Sequence, residues 1–421
     1  MDAVKNRYAA FVDILKYELM PASGCTEPIA IAYAASMLRK VMGRIPDSVV
    51  AFASGNLIKN AKAVSIPNGG DLRGIDAAVV MGILSDGADR KLEVLESLPE
   101  GALDRAKQLL ADGYCTVLPL DSAESLHLVL SAVAGEESAE VELKYAHTNI
   151  VRIEKNGESL MNGASGPLSL EQKVLDYGVL NVRDILDFVN TFDIKAGFVD
   201  LLRKQIEYNM AIAREGLSGS WGVNVGQAYK RRHLDVQAYA AAASDARMSG
   251  CNLPVMIISG SGNQGITASL PVVVYAQEHW ISEEHMLRAL ALSDLVAIHL
   301  KSGVGRLSAY CGAVCAACGS GCAMTYMDGG TLEQIEMTLT NTVAVISGMI
   351  CDGAKSSCAG KIATSIECAM MAHELAMDGK AYKPGEGIVF DGIENTINNV
   401  GRIAKEGMRE TDRVILSLMT D

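Results

Sequence analysis

The chain has 421 residues, nearly half hydrophobic and only 5% aromatic, with a formal net charge of −13. That length exceeds one ordinary core and predicts roughly two or three domains. The acidic balance disfavours sequence-independent nucleic-acid binding, which needs a basic footprint, and leaves a small-molecule site as the better expectation.

The N-terminal stretch MDAVKNRYAAFVDILKYELM carries mixed charges where a signal peptide needs an uninterrupted apolar core. No run approaches the roughly 18 apolar residues of a membrane span. A cytoplasmic protein with no membrane partner is therefore expected, and in that compartment clustered cysteines are more often ligands or catalysts than disulfides.

In chain order, residues 3 to 20 show helical spacing up to Pro21, and a second helix begins at Thr26-Glu27-Pro28 directly after Cys25. From Ser48 the pattern turns to short strands: SVVAFAS, AKAVSIP, CTVLPL, LHLVLSAVA, AEVELKYA and NIVRIE, with Asn156-Gly157 as a hairpin turn. Beyond Gly166 the periodicity is helical, near 168–176, 181–191, 194–215, 225–245, 281–298, 331–349, 360–378 and 393–406. The expected fold is α+β: an N-terminal α/β-type mixed domain with short strands (45–166) and a larger, mostly α-helical C-terminal domain (167–421). The first two helices (1–44), which carry Cys25, are expected to join the C-terminal domain. Ala, Gly and Met in place of aromatics favour close helix–helix contacts.

Six of the ten cysteines lie between Lys301 and Lys361: Cys311, Cys315, Cys318 and Cys322 in SAYCGAVCAACGSGCAM, and Cys351 and Cys358 in MICDGAKSSCAGK. A helix-like segment joins the two groups, so the chain can fold back and gather sulfurs from both around one metal centre, and an iron–sulfur cluster is the leading reading. The first group follows i, i+4, i+7, i+11, the stripe of a single helix face. Four thiolates on one rigid helix surround a cluster poorly, and cysteine also packs as a small hydrophobe. One or two ligands from this helix plus others from the loop fit better. The Ala-rich flanks also argue against the superficially similar radical S-adenosylmethionine spacing. In the loop, Gly and small polar residues let backbone N–H groups approach sulfur.

Three further elements are candidates for substrate chemistry. Cys25 stands at a helix start, where free N–H groups favour a thiolate and Glu27 partly opposes it, so a nucleophile, base or ligand is expected. Ser259, Ser261, Asn263 and Gln264 sit in ISGSGNQGITASLP, a Gly-rich helix-entry loop suited to a carboxylate, with neither a Walker lysine nor a dinucleotide fingerprint. His147, in YAHTNIVRI, is a candidate for substrate binding or acid/base work and equally a structural histidine. Lys301, Arg306, Lys355 and Lys361 flank the cysteine segments and could neutralise an anionic cluster.

Taken together, GCTEPIAIA (24–32), HTNIVRIEKNG (147–157), SGSGNQGI (259–266), GRLSAYCG (305–312) and ICDGAKSSCAGK (350–361) resemble the L-cysteine desulfidase family, which is related to the α-chain domain of bacterial iron–sulfur L-serine dehydratases. The resemblance runs from the first helix to the C-terminus. It implies an oxygen-sensitive [4Fe-4S] lyase that works without pyridoxal phosphate and eliminates the β-substituent of a small amino acid. Carried onto this chain, it implies Cys311, Cys351 and Cys358 as cluster ligands, with Cys315 as an alternative to Cys311, and Cys25 as the further reactive cysteine. L-cysteine, giving pyruvate, ammonia and hydrogen sulfide, is the expected substrate. L-serine or another β-substituted acid is the nearest rival, and a non-catalytic iron–sulfur or cysteine sensor is the rival from another class. Homo-oligomerisation is left open.

Overall fold

The computed structural model describes residues 2–62, 64–161 and 175–420. Helix α1 (Asp2–Glu18) ends before Pro21, whose missing N–H and fixed φ suit an edge, and residues Met20–Ser23 form strand β1 rather than a last helical turn. Helix α2 (Thr26–Met42) stops at Gly43, which adopts a left-handed φ of 81° and closes the helix with a hydrogen bond to Arg39 O. Then come β2 (Ser48–Ser54), α3 (Gly55–Ala61), α4 (Gly74–Leu84), α5 (Ala102–Ala111), β3 (Cys115–Leu120), β4 (His127–Ala134), β5 (Glu137–Lys144), β6 (Ile150–Lys155) and β7 (Glu158–Ser159).

These strands form a six-stranded sheet in the order β3-β2-β4-β5-β6-β7, parallel between β2 and β3 and antiparallel elsewhere. Alternate residues of β4 and β5, such as Leu128, Leu130, Val141 and Leu143, are buried, the period-two signal of a sheet with one face on the core. The Asn156-Gly157 turn has both residues at positive φ, as a two-residue hairpin requires. Of the expected strand at AKAVSIP, Ala61 ends α3 and residues 64–67 form a loop instead. Its backbone is spent in a tight turn, with Gly69 N–H bonded to Ile66 O, and only an isolated bridge joins Ser65 to Arg73.

The remainder is helical apart from β8 (Pro254–Ile257), which pairs antiparallel with β1. Its helices are α6 (Val182–Thr191), α7 (Val199–Ser218), α8 (Val225–Arg231), α9 (Asp235–Met248), α10 (Gly262–Glu278), α11 (Glu283–Val304), α12 (Gly312–Met327), α13 (Leu332–Ile346), α14 (Ser357–Met377), α15 (Ile393–Arg402) and α16 (Arg409–Thr420). The helix expected near 168–176 and the boundary at 166 fall largely outside the described residues. The expected helix 225–245 is two, because His233 takes a φ of 61° that no helix continues through. The fold is thus α+β, a small mixed sheet beside a mostly helical C-terminal part.

Helix α2 packs on α4 and β5, while α1 lies near α11 and interleaves Tyr8 and Phe11 with Phe188 of α6. Backbones approach closely where glycine allows it. A Cβ on Gly319 of α12 would stand 2.2 Å from Ser293 O of α11. No helix among the described residues is long and apolar enough to cross a membrane.

Candidate active site

Helix and loop starts from several parts of the chain meet at one cavity of about 90 Å³. Cys25, Thr26 and Glu27 enter from the start of α2, Gly260 and Ser261 from the loop before α10, Asn263 and Gln264 from its first turn, and Cys311 from the start of α12. Cys351 and Cys358 enter from the loop before α14 and its first turn. Thr26 Oγ1 donates to Gly260 O (2.8 Å), tying the first helix start to the second.

The two cysteine segments are held together by main chain. Cys311 N–H bonds to Met349 O (3.1 Å) and Cys351 N–H to Ala309 O (2.6 Å), a short antiparallel bridge centred on Tyr310 and Ile350. Tyr310 is buried beneath it, its hydroxyl 2.9 Å from Ser347 Oγ. Within the loop, Lys355 N–H points at Cys358 Sγ (3.5 Å), the backbone-to-sulfur approach that its small residues permit. Cys315, Cys318 and Cys322 are fully buried along α12 and do not line the cavity. Cys322 Sγ bonds to Ile335 O instead. All ten cysteines are free thiols.

Burial dominates the electrostatics. It pushes the Cys25 thiol up to about 12, against the pull of Arg247 and with help from Glu27 and Cys358. The N-terminal position on α2, expected to favour a thiolate, is outweighed by this desolvation. Cys311 is likewise pushed up to about 12, by burial and then by neighbouring Cys351, and Cys358 is raised by burial. Glu27 goes the other way: burial would raise it, but the His147 imidazole beside it and the more distant Arg247 hold its carboxyl below the usual range. Cys25 Sγ donates to Glu27 Oε2 at 3.6 Å.

Buried cations surround these thiols. Arg247 and Lys301 are each only 4% exposed, line the cavity, and have no carboxylate within ion-pair distance among the described residues. Burial lowers the Lys301 pKa, opposed by the thiols of Cys315, Cys351 and Cys311. Lys361 pairs with Asp352, and Arg306 with Glu18 (3.0 Å). Two buried atoms at the site, Gln264 Oε1 and His147 Nε2, have no hydrogen-bond partner among the described residues.

No three His, Cys, Asp or Glu side chains among the described residues converge as ligands of a single metal ion. The donor set suits a larger anionic group. Thiols become ligands as thiolates, and in a buried pocket several thiolates need the compensating positive charge that Lys301, Arg247 and Lys361 provide. In donor type and charge, the thiols of Cys311, Cys351 and Cys358 and the cations beside them match what an iron–sulfur cluster would require.

Of the residues expected from sequence, Cys25, Ser261, Asn263, Gln264, Cys311, Cys351 and Cys358 line this cavity. Ser259 and His147 stand behind its wall. His147 Nε2 is 3.9 Å from Glu27 Oε1, beyond hydrogen-bond length, and a Cβ on Gly260 would meet the imidazole at 2.7 Å. Sequence reasoning missed Arg247 and Asn60.

Residues 90–417 match the family described as serine dehydratase alpha chain. Relatives along the whole length include a "UPF0597 protein" of Lachnoclostridium phytofermentans, 48% identical over 98% of this chain and 99% of its own. Another, from Treponema denticola, is 46% identical over 100% and 99% of the two chains. UPF0597 protein DSY1109 of Desulfitobacterium hafniense is 43% identical over 100% and 98%.

Proposed function

The chain belongs to the serine dehydratase alpha-chain family, and from that premise we propose that it is an iron–sulfur-dependent L-cysteine desulfidase. It would convert L-cysteine and water to pyruvate, ammonia and hydrogen sulfide without pyridoxal phosphate. The observation that carries the reading is the meeting of Cys25, Cys311, Cys351 and Cys358, from three separate regions of the chain, in one cavity also lined by the buried cations Arg247 and Lys301, which have no carboxylate partner among the described residues.

Cys311, Cys351 and Cys358 would hold a [4Fe-4S] cluster. When bound through three thiolates, such a cluster supplies an iron with an open position, a Lewis acid toward the substrate's carboxylate and leaving thiolate. The protein's own part is positioning and proton handling. The loop of Ser261, Asn263 and Gln264 at the start of α10 orients the carboxylate, because the first N–H groups of a helix have no internal acceptors. Cys25 Sγ would remove the substrate α-proton as its thiolate, the form that the neighbouring Arg247 guanidinium favours. Glu27 accepts the hydrogen bond of the Cys25 thiol and so orients its sulfur toward the cavity. Elimination leaves aminoacrylate, which tautomerises and hydrolyses in water to pyruvate and ammonia.

The family description favours a second substrate, L-serine, which the same site would dehydrate. Both are tested by anaerobic reconstitution with iron and sulfide, followed by assay of sulfide and pyruvate from L-cysteine and of pyruvate from L-serine, with iron determined on the same sample. Equimolar sulfide and pyruvate that vanish with the iron are expected. A fully iron-loaded protein that yields pyruvate from serine alone would move the assignment to the dehydratase. Silence toward both substrates would end the lyase reading.

A further inference from the structure

The side chain of Arg247 reaches from the last turn of α9 beneath the loop that precedes α10. Its Nε–H donates to Gly24 O (3.1 Å) and its Nη1 to Asn263 Oδ1 (3.1 Å). Asn263 is oriented for this by its other side-chain group, with Nδ2 directed at Met248 Sδ (3.6 Å). Gly262 leaves the space: a Cβ there would lie 2.4 Å from Arg247 Nε and 2.7 Å from its Cζ. No hydrogen bond from Nη2 is made among the described residues, and the side chain lines the cavity beside Cys25. A guanidinium that is 4% exposed, with no carboxylate within ion-pair distance among the described residues, is expensive to keep, and the cost falls when an anion occupies the space before it.

We propose that Arg247 binds the α-carboxylate of the substrate and makes that carboxylate a requirement for entry. The proposal rests on the amino-acid lyase reading above and adds to it the ionic partner of the substrate. A guanidinium is a planar fork matched to a carboxylate, and this one is aimed by two acceptors before the ligand arrives. Asn263 then acts through Arg247, because its side-chain oxygen is already engaged.

The test uses full-length protein under anaerobic conditions, reconstituted with iron, and two unreactive probes, L-alanine and L-alaninamide, which differ at the carboxylate. Calorimetry on the wild type is expected to give binding of alanine about 10- to 100-fold tighter than of its amide, the range for a hydrogen-bonded charge. Arg247→Gln, checked for folding by circular dichroism, is expected to remove the preference. Arg247→Lys, which keeps the charge and loses the fork, is expected to keep part of it and carries the test if the Gln variant does not fold. With L-cysteine, both variants raise KM more than they lower kcat. A preference that survives undiminished in the folded variants, or no preference in the wild type, overturns the proposal. Loss of the preference on substitution in a wild type that releases neither sulfide nor pyruvate leaves the anchor standing and removes the lyase.

Discussion

Asp294 is a buried carboxyl with half of its hydrogen bonding unaccounted for. Gln205 Nε2 donates to Oδ1 at 3.0 Å, while Oδ2 and Gln205 Oε1 both lack partners among the described residues, and burial pushes the group up to about 8. A neutral acid resolves both gaps, because a proton on Oδ2 supplies a donor for the amide oxygen and closes a cyclic pair. The sign of the pH dependence follows. Below the ordinary carboxyl pKa of 3.8 both folded and unfolded chains carry the proton. Above it the unfolded chain ionises and the folded chain resists, so this group removes stability progressively until it ionises in place near pH 8. Asp294→Asn keeps the pair and removes the titration. It is expected to raise stability by roughly 1–3 kcal/mol at pH 8 and by little near pH 4, measured as urea midpoints. A variant no more stable than the wild type at pH 8 would mean that Asp294 is not held as a neutral acid.

At the level of elements, close backbone approach predicts substitutions of opposite sign. Gly319→Ala drives a methyl into Ser293 O between α12 and α11, and is expected to cost roughly 1–3 kcal/mol, lowering the thermal midpoint. Gly360, inside α14 with nothing near its would-be Cβ, is expected to gain about 0.4–1 kcal/mol as alanine. This packing also explains what could be read from the sequence. Strands β2, β4 and β5 were legible because one sheet face is buried and the alternation is plain. Helix α4, GIDAAVVMGIL, has almost every residue buried, so no polar stripe marks its period, and it was not recognised. Helix α10 contains Pro271 and is apolar all round, and only its glycine-rich entry stood out. The cavity residues of the cysteine loops and the α10 entry were legible because their residue types are unusual there. Arg247 was not, because its partners Gly24 and Asn263 lie 223 and 16 residues away and no local spacing reveals them.

Across the molecule, the C-terminal helix joins the sheet-bearing part to both cysteine segments through one carboxylate. Asp412 of α16 accepts from Lys59 of α3 and, through Oδ2, from Ala309 N–H (3.0 Å), two residues before Cys311. The same ammonium lies 3.3 Å from Cys351 O, and its side chain is almost wholly buried. The bridge between the cysteine segments is therefore clamped from outside by a chain end more than 50 residues beyond Cys358 in sequence. Asp412→Asn keeps an acceptor for Ala309 while removing the charge that Lys59 needs, and a charged hydrogen bond is worth about 1.5–3 kcal/mol. Local opening of the two cysteine segments should then become on the order of ten-fold more frequent or more. In metal-free protein, alkylation of Cys311 and Cys351 followed by peptide mass spectrometry should accelerate by that factor while Cys322, deep in α12, stays slow. If the proposed cluster is held there, the variant also retains less iron after reconstitution. Equal alkylation rates in the two proteins would show that the carboxylate steadies α16 alone and leaves the cysteine segments to hold themselves.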